Sequence, residues 1–229
     1  SKIILNGPEE QLTLTKNTQP AILTVSYSIF KVLEDEFDFD LSLFKYFAGH
    51  SLGEYSALVC SGSLDFTDAI YLLHARGKAM QEAVPVGKGS MIAILGSKFE
   101  DIQKLIASFT KKGICEIAND NAEGQVIVSG DKNTIEEFRL FLKDKKIKFI
   151  PLKVSAPFHC SLMKSAAETM KEKIEQTIFK KPKFEIVSNV TALPENDTSK
   201  IKRLLIEQIF NTVRWRETLL KMSNSGISN

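Results

Sequence analysis

The sequence predicts an α/β protein of two units, the second inserted into the first. One observation is residues 45–59, Lys45-Tyr46-Phe47-Ala48-Gly49-His50-Ser51-Leu52-Gly53-Glu54-Tyr55-Ser56-Ala57-Leu58-Val59. A short aromatic, strand-like run there gives way from Leu52 to apolar residues at helical spacing, with Leu52, Tyr55, Leu58 and Val59 on one face. A second is the order strand-helix-strand-strand-helix-strand over residues 86–154, the split βαβ or ferredoxin-like order. Such a unit closes on itself, which suits an insertion. The third is a turn-rich junction from Pro85 to Gly89. The units are expected at residues 1–85 with 155–229, and at residues 86–154.

Taken in order, Lys2 to Leu5 suggests a minor strand before a turn at Asn6-Gly7-Pro8. A helix is expected from Gln19-Pro20, since proline suits a first helical turn, with Ile22, Leu23, Val25, Ile29, Phe30 and Leu33 as a mostly buried face. Lys45 to Ala48 is a strand, and Ser61-Gly62-Ser63 ends the helix that follows it. Asp65, with Asp68 three residues on, caps a helix carrying Ala69, Leu72, Leu73, Arg76 and Met80.

In the inserted unit, strands are expected at Met91 to Leu95, Ile114 to Ala118, Gln125 to Val128 and Lys148 to Val154. The middle two are joined by a turn from Asn119 to Gly124. The helices are Phe99 to Phe109 and a segment carrying Ile135, Phe138 and Leu142. Beyond it come a helix from Ser161 to Phe179, a strand from Phe184 to Val190, a helix after the capping turn Asn196 to Lys200, and a closing helix from Arg216 to Met222. The larger unit thus shows only two central strands, too few to form a covered sheet.

Composition sets the outer bounds. With 229 residues, 43% hydrophobic and 25% charged, the chain has the balance of a soluble globular protein. A net charge of +2 gives no reason to expect nucleic acid or a membrane surface as partner. No apolar run approaches membrane-spanning length and no secretory pattern opens the chain, so a cytoplasmic protein is expected. Cys60, Cys115 and Cys160 fit neither a disulfide framework nor a zinc spacing. The chain opens at Ser1 and stops just past a helical pattern, so both ends are expected to be cut.

Gly49-His50-Ser51-Leu52-Gly53 matches the nucleophile-elbow pattern G-x-S-x-G. Ser51 must then sit in a tight turn with its hydroxyl exposed, and the positions two before and two after must be small. A serine hydroxyl needs a base. His50 should point away from its neighbour, and His74 lies in an apolar helix where a satisfied structural role fits best. His159, in a loop after a strand, is assigned the base. For a third member, spacing does not choose among Asp120, Glu185 and Asp197, and a backbone carbonyl can orient an imidazole equally well. Arg76 is either a snorkelling surface arginine or a carboxylate-binding residue at a cleft.

Further motifs stand in order along the whole chain: Arg76-Gly77 with Met80-Gln81, Asn119 with Gly124 to Gly130, Ser155-Ala156-Pro157-Phe158-His159-Cys160, Ser188-Asn189-Val190, and Gln208 with Asn211-Thr212-Val213-Arg214-Trp215. Together with the elbow they resemble the malonyl-CoA:acyl carrier protein transacylases of bacterial-type fatty acid synthesis. The resemblance implies an α/β-hydrolase-like large subdomain with a mostly parallel sheet, and an inserted ferredoxin-like one. It makes Ser51 the nucleophile, His159 the base, Arg76 the carboxylate reader, the Gln208 carbonyl the group that orients His159, and the Leu52 amide an oxyanion donor. His50, Phe158, Asn119 and Asn189 fall in the substrate pocket, where the Phe158 ring would crowd an α-methyl branch.

The resemblance further implies a coenzyme A thioester, malonyl-CoA, as substrate, with no permanently bound cofactor and no metal. The transient partner is acyl carrier protein, bearing its own phosphopantetheine, and the enzyme is a monomer. The family's N-terminal Phe-Pro-Gly-Gln-Gly-Ser-Gln stretch and its late glycine-rich loop have no counterpart here, and Thr212 stands where proline is more usual. The competing expectations are a serine thioesterase or esterase, separated by its lack of need for Arg76, and the acyltransferase domain of a larger synthase.

Overall fold

Residues 2–37, 40–110, 112–154 and 156–227 are described by the structure, a computed structural model. Ser155, which opens the motif around His159, lies outside the described residues, as do the last two residues.

The chain begins with two short helices, α1 (Lys2–Asn6) and α2 (Glu9–Leu12). The expected strand at Lys2 to Leu5 is therefore helical: three adjacent apolar residues carry no period, and the Gly7 N–H closes the turn on the Ile3 carbonyl at 3.1 Å. Helix α3 (Thr15–Glu36) starts before the expected Gln19, with Pro20 inside it. Proline lacks the N–H that would reach back to the Lys16 carbonyl. The freed carbonyl instead accepts from Nδ1 of His74 at 3.0 Å, so a tertiary partner makes the proline tolerable. The expected buried face of α3 is corrected too. Leu23 is buried, but Ile22, Val25 and Ile29 are 46%, 45% and 57% exposed. Among the described residues, Ile4 and Leu12 of the short helices reach only the N-terminal end of that face.

Strand β1 (Tyr46–Phe47) leads through the elbow to α4 (Gly53–Cys60), and α5 (Phe66–Glu82) follows. Asp65 caps α5, its Oδ1 accepting from the Thr67 N–H at 2.8 Å. Helices α3 and α5 meet closely at Gly77, where a Cβ would lie 2.5 Å from the Thr15 carbonyl oxygen.

The next six elements are β2 (Gly89–Leu95), α6 (Phe99–Ser108), β3 (Cys115–Ala122), β4 (Gln125–Asp131), α7 (Lys132–Asp144) and β5 (Lys148–Pro151). Their four strands form an antiparallel sheet in the order β5-β2-β4-β3. One face packs on α6 and α7 through Ile92, Ile94, Val126, Val128, Ile135 and Phe138. The other presents Met91, Ala93, Ala118 and Ile127, against which Phe158 packs. Strand β3 runs on through Ala122, so the expected turn at Asn119 to Gly124 shrinks to Glu123-Gly124, with Gly124 at φ +74°. Two register irregularities, Ile117/Asn119 and Asp120/Ala122, absorb the polar run. Partners supplied from far along the chain override the local turn chemistry. The Asp120 N–H donates to the Val213 carbonyl and the Val213 N–H to the Ala118 carbonyl, both at 2.9 Å.

The last elements are α8 (Lys164–Gln176), β6 (Glu185–Val187), β7 (Pro194–Glu195), α9 (Thr198–Gln208) and α10 (Trp215–Asn224). Helix α8 stops before the expected Phe179, which bridges in extended form to Leu64. In the second sheet, order β1-β6-β7, β1 and β6 are parallel and β6 and β7 antiparallel. The described sheet is thus not mostly parallel, and β7, two residues long and opened by a proline, had no legible pattern. The expected strand to Val190 ends at Val187, where the Ala192 N–H folds back on the Ser188 carbonyl at 2.8 Å. Helices α3, α4, α5, α8 and α9 bury Leu23, Tyr55, Leu58, Leu73, Met170 and Leu205 in one cluster with Ile186. The architecture is a mixed α/β fold with two sheets and several helices.

Candidate active site

Ser51 occupies the left-handed region at φ +54°, a conformation that costs a non-glycine residue about 1–3 kcal/mol. Asn189 offsets it. That fully buried side chain accepts from the Ser51 N–H through Oδ1 at 2.6 Å and donates through Nδ2 to the Gly49 carbonyl at 2.9 Å. Asn189 therefore clamps the elbow, with both ends of its amide on backbone. The elbow's glycine requirement is one-sided. A Cβ at Gly49 would lie 1.9 Å from the Gly53 carbonyl oxygen, whereas one at Gly53 would meet nothing within 4 Å.

The loop between β5 and α8 brings His159 over the elbow, with Nε2 2.8 Å from the Ser51 Oγ. Nδ1 of His159 is 2.8 Å from the Gln208 carbonyl oxygen, at the last residue of α9. A carbonyl only accepts, so Nδ1 carries the proton and Nε2 presents its lone pair to the serine hydroxyl. Burial, with the Arg76 charge, pushes the imidazole down to about 3, so it is neutral near pH 7. None of Asp120, Glu185 and Asp197 bonds to His159. Asp120 binds Arg216 with both oxygens 3.0 Å from Nε, Asp197 caps α9, and Glu185 sits in β6.

Arg76 is 1% exposed, which removes the snorkelling alternative. One terminal nitrogen donates to the Gln19 Oε1 at 2.7 Å, the other to the Gln208 Oε1 at 2.8 Å and to the Ser51 Oγ at 3.1 Å. The Tyr55 ring lies 5.9 Å from its guanidinium carbon, and Nε has no partner among the described residues. The Leu52 N–H, at the start of α4, has no acceptor among the described residues. His50 turns away, Nε2 donating to the Asn121 Oδ1 at 2.8 Å and its ring standing edge-on to Trp215. Phe158 is half-buried between the two apolar clusters, and Asn119 forms the bridge from β3 to Val213. A groove of about 440 Å³ opens beside His159, lined by Cys115, Glu116, Ile117, Phe210 and Thr212 among others.

Sequence reasoning missed Gln19, Asn121, Glu54 and the Gln208 side chain. The one legible signal was Glu54, a carboxylate on the elbow helix beside residues assigned to its buried face. It is 1% exposed, and Oε2 accepts from the Gln208 Nε2 at 2.8 Å and the Asn189 N–H at 3.1 Å. Burial, opposed by those two bonds, pushes its carboxyl up to about 7 from 4.5.

The two buried groups act oppositely on stability. A raised folded-state value means the native state holds the proton longer, so stability from Glu54 is lost as pH rises from 4.5 through about 7. The depressed His159 gives stability that is lost as pH falls from 6.5 toward about 3. Glu54→Gln is expected to lessen the loss between pH 5 and 8 by about 2–3 kcal/mol, read from urea unfolding. Parallel profiles for the two proteins would refute the assignment.

A serine whose oxygen meets a neutral, carbonyl-oriented imidazole and a buried guanidinium is equipped for covalent acyl chemistry on an acid-bearing group. Residues 1–228 match the model of the acyl transferase domain, and the chain belongs to that family. The malonyl CoA-acyl carrier protein transacylase of Haemophilus influenzae is 40% identical over 226 residues, 98% of this chain and 72% of the relative. A crystal structure of acyl-carrier-protein-S-malonyltransferase from Bartonella henselae superposes with a TM-score of 0.94 at 40% identity, covering 99% of this chain and 72% of that one. A type II PKS acyl-carrier protein in complex with its malonyl-transacylase gives a TM-score of 0.93 at 40% identity, with 99% and 72% covered. Among acyl transferases, the chain belongs with the malonyl-CoA:acyl carrier protein transacylases.

Among the described residues no helix is long and apolar enough to cross a membrane, and no group of three or more His, Cys, Asp or Glu could hold a metal ion.

Proposed function

We propose that the protein transfers the malonyl group of malonyl-CoA to the pantetheine thiol of acyl carrier protein through a malonyl ester on Ser51, in the cytoplasm. The observation that carries this is the convergence of the His159 imidazole and the Arg76 guanidinium on one serine oxygen, at 2.8 and 3.1 Å. Residues 1–85 with 155–229 form an α/β-hydrolase-like catalytic subdomain, and residues 86–154 an inserted ferredoxin-like one. The separate apolar cores and the order β5-β2-β4-β3 support that division.

In the first half-reaction Nε2 of His159 takes the hydroxyl proton as the Ser51 Oγ attacks the thioester carbonyl. The oxyanion forms against the Leu52 N–H. The carbon–sulfur bond then breaks, and the imidazolium returns its proton to the coenzyme A sulfur. In the second half the carrier's thiol gives its proton to Nε2, its sulfur attacks the ester carbonyl, and the Ser51 Oγ leaves with that proton. Arg76 holds the free malonyl carboxylate, for which its fork geometry is suited. A carboxylate there also offsets the charge that depresses His159, so it makes the base stronger as the substrate binds.

The test is intact mass after brief mixing with malonyl-CoA or acetyl-CoA. One malonyl unit is expected on the wild type and none on Ser51→Ala. Arg76→Ala is expected to weaken malonyl labelling about 10–100-fold relative to acetyl labelling, the size of a charged hydrogen bond of about 1.5–3 kcal/mol. Acetyl labelling that equals malonyl labelling and ignores Arg76 would overturn the malonyl reading.

A further inference from the structure

Among the described residues Arg76 has no carboxylate partner: its acceptors are the neutral oxygens of Gln19, Gln208 and Ser51. The nearest link to a buried negative group runs through one amide. The Gln208 Oε1 accepts from Arg76, while its Nε2 donates to the Glu54 Oε2 at 2.8 Å and to the Ser51 carbonyl at 3.0 Å. An amide's two ends are not interchangeable. If the Gln208 amide turned over, its NH₂ would face a guanidinium that can only donate, and its oxygen would face the carboxylate. The contact with Arg76 would be repulsive, and so would the contact with Glu54 wherever its carboxyl is ionised, in a site where each group is under 2% exposed.

We infer that Glu54 is a positioning residue for substrate selection: it fixes the Gln208 amide so that an acceptor faces Arg76, and thereby aims the guanidinium at the acyl carboxylate. Placing the acid one amide away has a second consequence. A carboxylate directly on Arg76 would occupy the fork and compete with a substrate acid. Relayed through Gln208, it orients Arg76 while the amide oxygen takes one guanidinium N–H, where a carboxylate would take two. Gln208 thereby links both halves of the site, its side chain to Arg76 and its backbone carbonyl to His159.

This inference rests on the malonyl-transfer reading, and the experiment separates the two. Rates of Ser51 acylation by malonyl-CoA and by acetyl-CoA are compared in the wild type, Glu54→Gln, Glu54→Ala and Gln208→Met. Glu54→Gln keeps an acceptor oxygen and is expected to hold the malonyl-to-acetyl ratio within threefold of wild type. Glu54→Ala is expected to lower that ratio tenfold or more, with a raised half-saturating malonyl-CoA concentration. Gln208→Met keeps the backbone carbonyl for His159, lacks the amide, and is expected to lower the ratio likewise; it decides the matter if Glu54→Ala does not fold. A fall that is equal for both acyl groups in Glu54→Ala or in Gln208→Met would overturn the inference, because a merely structural role predicts it. So would a Glu54→Gln protein that behaves like Glu54→Ala. A wild type that takes acetyl but no malonyl group would overturn the proposed function, and this inference with it.

Discussion

Replacing His159 by alanine is expected to slow Ser51 acylation by about 10²–10⁴-fold, the range for loss of a positioned general base. No other imidazole can substitute. His50 is bonded to Asn121, and His74 is bonded to the Lys16 carbonyl. The pH profile gives the loss its signature. Burial and the Arg76 charge push the His159 imidazole down to about 3 in the free protein, so wild-type acylation at subsaturating malonyl-CoA is expected to keep its base on going from pH 8 to pH 5. The variant depends on solvent hydroxide and should fall about tenfold per pH unit over the same span, as removal of the proton passes to the solvent. Rapid-mixing mass measurements at each pH give both slopes. A His159→Ala protein within tenfold of wild type, or one whose rate has the same pH slope as wild type, would remove His159 from the role of base.

Gly49→Ala should be nearly as damaging, for a reason confined to backbone. The added methyl carbon would lie 1.9 Å from the Gly53 carbonyl oxygen, 2.1 Å from its carbon and 2.8 Å from the Glu54 nitrogen. None of these is a side chain that can rotate away, so the elbow must open. Opening it pulls Ser51 from His159, and a misplacement of about 1 Å at a reacting group costs about 10²-fold in rate. Stability should fall as well, by about 1–3 kcal/mol for an overpacked site. The paired glycine predicts the opposite. Gly53 stands in the first turn of α4 with open space around it, so Gly53→Ala should raise stability by up to about 1 kcal/mol. Acylation rate and urea midpoint together test the asymmetry. A Gly49→Ala protein with normal acylation would mean that the strand and helix do not cross this closely.

The contrast shows what a motif does and does not contain. G-x-S-x-G names two glycines as equals, yet only the first is required by contact, because the helix leaves the turn in a direction that exposes the second. Elements with a strong period were legible. Residues 86–154 alternate periods of two and 3.6, and the structure has their strands and helices in the expected order. The cap at Asp65 and the capping turn from Asn196 to Lys200, where Asp197 proves to be the cap, were legible because a short side chain reaches only its own next turn. The start of α3, the reach of β3 and the existence of β7 were not. Each depends on a partner that the local sequence does not contain: His74 for the carbonyl freed by Pro20, Val213 for the edge of β3, Val187 for Pro194. The face of α3 failed in the other direction, since an amphipathic pattern states that a face is apolar and leaves open what covers it.

By itself the sequence determined the order of the elements, the serine at the strand-to-helix turn and a histidine with the freedom of a loop, because these are short-range signals written in spacing and turn chemistry. Residue pattern alone left open whether Arg76 faces solvent and whether an acid or a carbonyl meets His159, and the resemblance chose the buried arginine and the Gln208 carbonyl. The tertiary structure added the bonds of Asn189 to the elbow backbone and of the Gln208 amide to Glu54 and Arg76. Those choices lie among polar groups up to 157 residues apart. Once they are buried together, each donor must find an acceptor or pay its full desolvation, and only the folded chain fixes which ones meet.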